Sequence, residues 1–429
     1  MKLPYILYLI IFSGSIFSCQ INEDKVLNSN EYDKFLKVTE SKITGDSTLR
    51  LNFWNHKIQN DSIQILAMAS AAGEYSKLFQ ATGKIEYLKS AEALLVQSVK
   101  KAAIKKETYL LALAQNYISQ HRFREAKQAA LRAHKLVANS STQMVLFDAT
   151  MELGEYAQAE EYLKSLADQN NYNFLIRLAK WNDYKGKLDA TIRNMEKAKT
   201  IAESSNNKGL MLWSYTNLAD YYGHAGKIKA SYEHYLMALQ LDPSNAYAKK
   251  GIAWIAYSYE KDPQEALRII DAILTSYQAP DYFLFKAEIA AYQNDLSTKE
   301  INIQKYTDMV KDDRYGEMYN TINALVLAEE EEDFDTALRI MKKEVANRET
   351  PETYDHLAYI FFLKGEYQKA LEIAKEFVQG KTFEPTASLH LAQIYKANGY
   401  EEKVKRFKKE LLESSYELGP LVVNEIHNL

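Results

Sequence analysis

The stretch LWSYTNLADYYGHAGKIKASYEHYLMALQLDPSN, Leu212 to Asn245, decides the fold. Apolar residues recur at three- and four-residue intervals on both sides of Gly226, the pattern of two short amphipathic helices joined by a tight turn. Ala219 before the turn and Ser231 after it are small, and Tyr215, Leu218, Tyr222 and Tyr235 surround them. Where two helices cross with small side chains at the contact, their axes approach and the large neighbours interdigitate. The pattern returns at Pro351 to Thr382 with Ala358 and Ala370, and at Glu107 to Ala138 with Ala114 and Ala126. The second-helix position recurs along the chain as Ala126, Ala159, Thr191, Ser231, Ala266, Lys299, Ala337, Ala370 and Val404, in steps of 33, 32, 40, 35, 33, 38, 33 and 34 residues. A period of that length means stacked helical hairpins.

The matched residue types identify the repeat more closely. Tyr215, Leu218, Ala219, Tyr222, Gly226, Ser231, Tyr235, Ala238 and Pro243 resemble the tetratricopeptide repeat, as do Tyr354, Leu357, Ala358, Phe361, Gly365, Tyr367, Ala370 and Ala374. The resemblance covers Glu107 to Ser414. It implies an all-α protein, a right-handed α-solenoid of stacked helix-turn-helix repeats whose first helices line a concave groove. Departures mark irregular units. Phe147, Trp254 and Leu325 replace the small residue of the first helix, and Lys299 replaces the alanine of the second. The 40-residue step holds the polar Glu203 to Lys208, read as a lengthened loop, and the 38-residue step holds Lys311 to Arg314, read likewise. Asp262-Pro263 and Thr350-Pro351 read as helix starts, with a capping side chain before a proline at the first helical position.

The chain divides accordingly. Residues 1–18 read as a signal peptide, because Lys2 precedes an uncharged apolar run too short to span a bilayer as a helix. Ile16-Phe17-Ser18-Cys19 resembles the lipobox of bacterial lipoproteins, which implies lipidation of Cys19; an ordinary signal peptide with an incidental cysteine is the alternative. Cys19 is the one cysteine of the chain, so no intramolecular disulfide forms. Gln20 follows it, which favours an outer-membrane lipoprotein of the bacterial cell envelope over inner-membrane retention. Residues 19–30 read as the lipidated cysteine and a flexible tether. Residues 31–106 read as an N-terminal helical cap and first hairpin, the cap being two short helices around Tyr32 to Val38 and Leu51 to Ile58 with a turn at Thr44-Gly45-Asp46. About nine repeats span 107–414. Residues 415–429 read as a C-terminal cap, with Gly419-Pro420 stopping the last long helix.

Composition and motifs exclude several functions. The 57 acidic and 53 basic residues give a formal charge of -4, so no global field recruits nucleic acid, and none is expected as a partner. No His-Glu-x-x-His run occurs, and the Gly-Lys pairs at Gly83, Gly186 and Gly226 lack the preceding glycine of a phosphate loop. Neither catalytic residues nor a metal site nor a cofactor is expected, and the chain reads as no enzyme. The acidic run Glu329 to Asp333 reads as a solvated face, and the basic run Lys403 to Lys409, interrupted by Val404 and Phe407, reads as an amphipathic last helix. Register places Trp213, Asp220, Tyr259, Tyr292, His356, Tyr359 and Phe362 on the inner, first-helix surface as candidate partner-binding residues. The expectation is a membrane-anchored scaffold that binds a peptide segment or partner protein in its groove, with a surface glycan-binding lipoprotein of a sugar-uptake system as the alternative.

Overall fold

A computed structural model describes residues 25–38, 41–58 and 64–429. The expected signal peptide, Cys19 and the start of the tether lie outside the described residues. Two N-terminal helices, α1 (Ser29–Leu36) and α2 (Lys42–Ile58), precede the hairpin of α3 (Ile65–Thr82) and α4 (Ile85–Lys101). Four hairpins follow: α5 (Lys106–Ser119) with α6 (Phe123–Leu136), α7 (Ser140–Glu152) with α8 (Tyr156–Ser165), α9 (Tyr172–Tyr184) with α10 (Leu188–Ser204), and α11 (Lys208–His224) with α12 (Ile228–Leu241). Five more complete the array: α13 (Ala246–Trp254) with α14 (Pro263–Leu274), α15 (Asp281–Tyr292) with α16 (Leu296–Val310), α17 (Asn320–Glu329) with α18 (Phe334–Asn347), α19 (Pro351–Leu363) with α20 (Tyr367–Ile373), and α21 (Pro385–Ala397) with α22 (Glu401–Glu413). The helix α23 (Ser415–His427) ends the chain. Successive helices pack on one another from α2 to α16 and again from α17 to α23, and no strand occurs among the described residues. The architecture is an all-α solenoid of the tetratricopeptide type.

Small residues at the helix crossings hold most of the hairpins closed. Ala126, Ala159, Thr191, Ser231, Ala266, Ala337 and Ala370 are all fully buried, as are Ala114, Ala219 and Ala358 of the facing helices. Lys299 stands outside this series and reaches Glu330 of the next repeat at 2.7 Å, so an ion pair replaces a packing contact. Helix starts are fixed by side chains that accept otherwise orphan backbone N–H groups. Asp262 Oδ1 accepts from Glu265 N at 3.0 Å, with Pro263 at the first helical position, and Thr350 forms a reciprocal capping box with Thr353.

Four local expectations fail, each for a physical reason. The tether expected to run to residue 30 ends sooner, because the Leu27 amide donates to Glu260 Oε1 at 2.7 Å and α1 starts at Ser29. Thr44-Gly45-Asp46 is no turn: α2 runs through it, since Gly45 has no close neighbour and keeps a negative φ. The surplus residues around Glu203 to Lys208 do not lengthen a loop. They extend α10 and α11 to 17 residues each, leaving only Ser205 to Asn207 between them. The last repeat helix stops at Glu413, and Gly419, with φ 79° and ψ 162°, kinks α23 instead.

The array winds so tightly that one superhelical turn lies on the next. The amide of Gln278 donates to Thr82 O at 2.8 Å, and Arg124 Nε donates to Asn347 O at 2.9 Å. Gly154, in the left-handed conformation at φ 75°, faces the Glu349 carbonyl so closely that a Cβ there would lie 2.6 Å from its oxygen. Phe383 lies against Gly186 in the same way. The partners stand about 195 residues apart in most of these contacts, close to six repeats. The 38-residue step supplies one of them, because its extra residues form a short 3-10 turn, Asp313–Tyr315, whose buried Tyr315 packs on Ile85 and Leu88 of α4.

Both chain ends clasp this coil. On the outside, α1 lies across α12 and α14: Tyr32 is buried edge-on to Tyr232, its hydroxyl donates to Glu265 Oε1 at 2.5 Å, and Asp33 pairs with Arg268 at 2.6 Å. On the inside, α23 joins the two turns. Tyr416 O accepts from Trp254 Nε1 at 3.1 Å and from Ser258 Oγ at 2.5 Å, while Leu418 and Ile426 pack with Leu389 and Leu411 of α21 and α22. Ser258 reaches Tyr416 from a π-helical turn, Ile255–Tyr259, which follows Trp254.

Two outcomes are expected from this packing. Ala370→Glu places a charge at a fully closed crossing and lowers the unfolding free energy by about 3 kcal/mol or more; an unchanged melting temperature would contradict the crossing. Glu288 lies beside the Gly419 kink, where burial pushes its carboxyl up to about 7, a shift the neighbouring Tyr257 hydroxyl only partly offsets. A pKa raised by folding stabilises the protein below the unfolded value near 4.5, and that contribution is lost as pH rises through about 7. Between pH 5 and pH 8 the wild type therefore loses on the order of 2 kcal/mol relative to Glu288→Gln, and parallel stability-pH curves for the two would refute this.

Candidate binding site on the inner face

The inner faces of α11 and α13 carry a trough made of two adjoining cavities that share Tyr247. The smaller, about 270 Å3, lies between α11, α13 and the start of α23; the larger, about 530 Å3, opens between α2–α3 and the N-terminal ends of α11, α13 and α15. Trp213 and Tyr247 are the large apolar groups most open here, at 41% and 54% exposure.

The walls of the smaller cavity are aromatic because two first-helix positions lack side chains. Tyr235 comes from α12 behind and lies where the side chain of residue 251 would be, and a Cβ on Gly251 would fall 2.1 Å from its ring. Tyr416 occupies the corresponding space over Gly223 from above, where a Cβ would be 2.8 Å away. Trp254 and Tyr247 complete the enclosure.

One carboxylate sits in this aromatic wall. Asp220 Oδ1 accepts from the Tyr235 hydroxyl at 2.5 Å, and Oδ2 accepts from the Tyr247 hydroxyl at 2.7 Å. Burial raises the Asp220 carboxyl above its ordinary pKa, and the two tyrosine hydrogen bonds only partly counter this. The nearby cations have other partners. Lys250 pairs with Asp281 at 2.8 Å and lies over the Tyr282 ring, and His224 Nδ1 lies 2.8 Å from Glu417. Burial opposes protonation of His224, but the Glu417 hydrogen bond and the charges of Glu417, Asp220 and Asp183 outweigh it and raise the pKa. Asp220 takes part in no ion pair among the described residues.

The residues expected on the inner surface separate into three places. Trp213 lines the larger cavity, edge-on to Tyr172, and Asp220 lines the smaller. Tyr259 and Tyr292 are half-buried against the core of α13 to α15, Tyr292 edge-on to Tyr257 at 5.6 Å. On α19, Tyr359 stacks on His390 at 3.8 Å and also on Phe362, while the buried Asp355 holds His390 Nδ1 at 2.8 Å. His356 lies beside them, and burial pushes its pKa down to about 4. The α19 group is a packed layer between repeats rather than part of the trough. No group of three or more His, Cys, Asp or Glu that could hold a metal occurs among the described residues, and no described helix is long and apolar enough to cross a membrane.

Sequence reasoning did not find Tyr235, Tyr247 or Tyr416 as trough residues. The signal for Tyr235 was Gly251, a glycine inside a helix, where only a close approach explains the loss of a side chain. Tyr416 carried no local signal, since its place depends on the winding of the whole coil.

No protein-family profile and no curated protein matches the chain. Solved structures do match. A tetratricopeptide repeat protein from Parabacteroides merdae is 15% identical, with 57% of this chain and 93% of that one covered and a TM-score of 0.39. A human IFIT1 dimer with m7Gppp-AAAA is 12% identical over 82% of this chain and 76% of the other, with a TM-score of 0.47. Pseudomonas aeruginosa pilF is 14% identical over 49% of this chain and 96% of the other, with a TM-score of 0.37. The chain's own hairpin period, its closed small-residue crossings and its repeat-on-repeat stacking make it a tetratricopeptide-type α-solenoid.

Proposed function

We propose that this protein is a lipid-anchored interaction scaffold of the bacterial cell envelope that holds a peptide segment or partner protein along its inner trough. The observation that carries the reading is the trough itself, with Trp213 and Tyr247 left open on a concave surface whose other large aromatics are packed. Aromatic side chains in a recess are the groups that dominate partner binding, because they offer much area at little entropic cost. Asp220 and Glu417 in the lining of the trough oppose a polyanionic ligand such as nucleic acid.

The anchor reading rests on Ile16 to Cys19 and suits the geometry of the described chain. Lys25 lies 4.0 Å from Asp262 and the Leu27 amide donates to Glu260 at 2.7 Å, so the chain enters at the outer side of the α13–α14 hairpin. The few residues between Cys19 and Lys25 reach at most about 20 Å. An outer-membrane anchor at Cys19 therefore holds that side toward the bilayer and leaves the inner trough free. Each buried acyl CH2 contributes about 0.8 kcal/mol, so several chains together retain the protein firmly.

Cys19→Ala is expected to abolish incorporation of labelled fatty acid and to move the protein to the soluble fraction; unchanged labelling would overturn the anchor. A photo-crosslinking amino acid at position 213 or 247 in living cells is expected to capture a discrete protein, whereas the same probe at Leu136, exposed at the end of α6 and away from both cavities, is not. Equal capture at all three positions, or glycan-array binding with no captured protein, would turn the reading against a protein partner.

A further inference from the structure

We infer that the smaller cavity is a receptor for a single organic cation, an alkylammonium head of the size of a lysine side chain. It rests on the trough being a binding surface only for where such an ammonium comes from; the recognition chemistry stands on the cavity alone.

Charge comes first. Asp220 presents a carboxylate to a recess walled by Tyr235, Tyr247, Trp254 and Tyr416; among the described residues its hydrogen-bond donors are the two tyrosine hydroxyls, and His224 and Lys250 act on it only through space. The hydroxyls fix the orientation of the group without neutralising it. Lys250 and His224, the cationic side chains at the rim, are matched by Asp281 and Glu417. The site as a whole keeps a net negative charge whether or not His224 is protonated. A carboxylate in such a recess with no cation in direct contact is costly, and a cation that enters relieves the cost.

The walls select the kind of cation. Aromatic faces carry negative potential and attract a cation placed over them, more so when it is desolvated. A small metal ion needs several oxygen ligands, and this recess offers too few. An organic ammonium instead uses the carboxylate for charge and the rings for contact. The volume of about 270 Å3 admits an alkylammonium with its chain but no folded element. An anion would meet Asp220 and Glu417 together. A neutral sugar would leave the Asp220 charge uncompensated.

The geometry also indicates how the ligand enters. Tyr247 is shared with the larger cavity, so a polypeptide lying along Trp213 can lower one basic side chain past Tyr247 to Asp220. Partner lysine is thus the favoured source, and a free amine is the other.

The test is titration of the purified full-length ectodomain with N-acetyl-lysine methylamide, with its neutral isostere N-acetyl-norleucine methylamide and with n-butylammonium, followed by calorimetry and saturation-transfer NMR. The lysine derivative is expected to bind at least about tenfold more tightly than the norleucine one. Asp220→Asn is expected to remove that preference, and Tyr247→Phe, which keeps the ring, to weaken binding only a few-fold. A lysine-containing pentapeptide that binds more tightly than n-butylammonium assigns the source to a polypeptide, and equal affinities assign it to a free amine. Equal binding of the lysine and norleucine derivatives by the wild type overturns the inference whether or not Asp220→Asn folds. It would leave the scaffold reading intact, since that is tested by capture at positions 213 and 247.

Discussion

Close backbone approach is the constraint on which the rest of this structure depends. Within most repeats it occurs where fully buried alanine, serine or threonine meets the facing helix, and the small residue sets the distance between the two axes. Repeated along the chain, that spacing fixes the rotation from one hairpin to the next. After about six repeats the coil returns onto itself, and contacts such as Gln278 to Thr82 and Gly154 to Glu349 seal one turn against the other. An ordinary solenoid has only neighbour contacts and fails piecemeal. This one gains long-range contacts, which couple distant repeats and make the array a more cooperative unit.

The same winding creates the chemistry of the inner face. A coil that closes on itself encloses side chains that an open groove would leave in water, so carboxyls such as Glu288 and Asp220 are raised by burial rather than by a specific partner. It also brings the C-terminal helix to α11 and α13, where Tyr416 and Glu417 wall a cavity whose other residues lie some 160 to 200 positions earlier. The chain end thus completes the site as well as covering the last repeat. The π-helical turn after Trp254 belongs to this arrangement, because it turns Ser258 toward the Tyr416 carbonyl. Such turns inside helices often accompany functional surfaces.

The repeat period, the helix crossings and the caps at Asp262 and Thr350 were legible in the sequence because each depends on residues within one hairpin. Where reading failed, the deciding interaction was either too weak or too distant. Gly45 suggested a turn, yet an isolated glycine costs a helix only about 1 kcal/mol. The polar run at Glu203 suggested a loop, yet the surplus was absorbed by lengthening two helices. Of the inner-surface candidates, Trp213 and Asp220 line the trough, whereas His356, Tyr359 and Phe362 lie in a packed layer against His390 and its neighbours. Register alone assigns a residue to a face. It does not say whether a later turn of the coil covers that face.

Closure of the coil is open to lysine-directed crosslinking with mass-spectrometric readout. Lys185 and Lys381 are exposed, line one cavity between successive turns, and stand 196 positions apart in sequence. A closed coil predicts an intramolecular Lys185–Lys381 crosslink in the monomer fraction. Its absence, with crosslinks between adjacent repeats forming normally, would show an open superhelix.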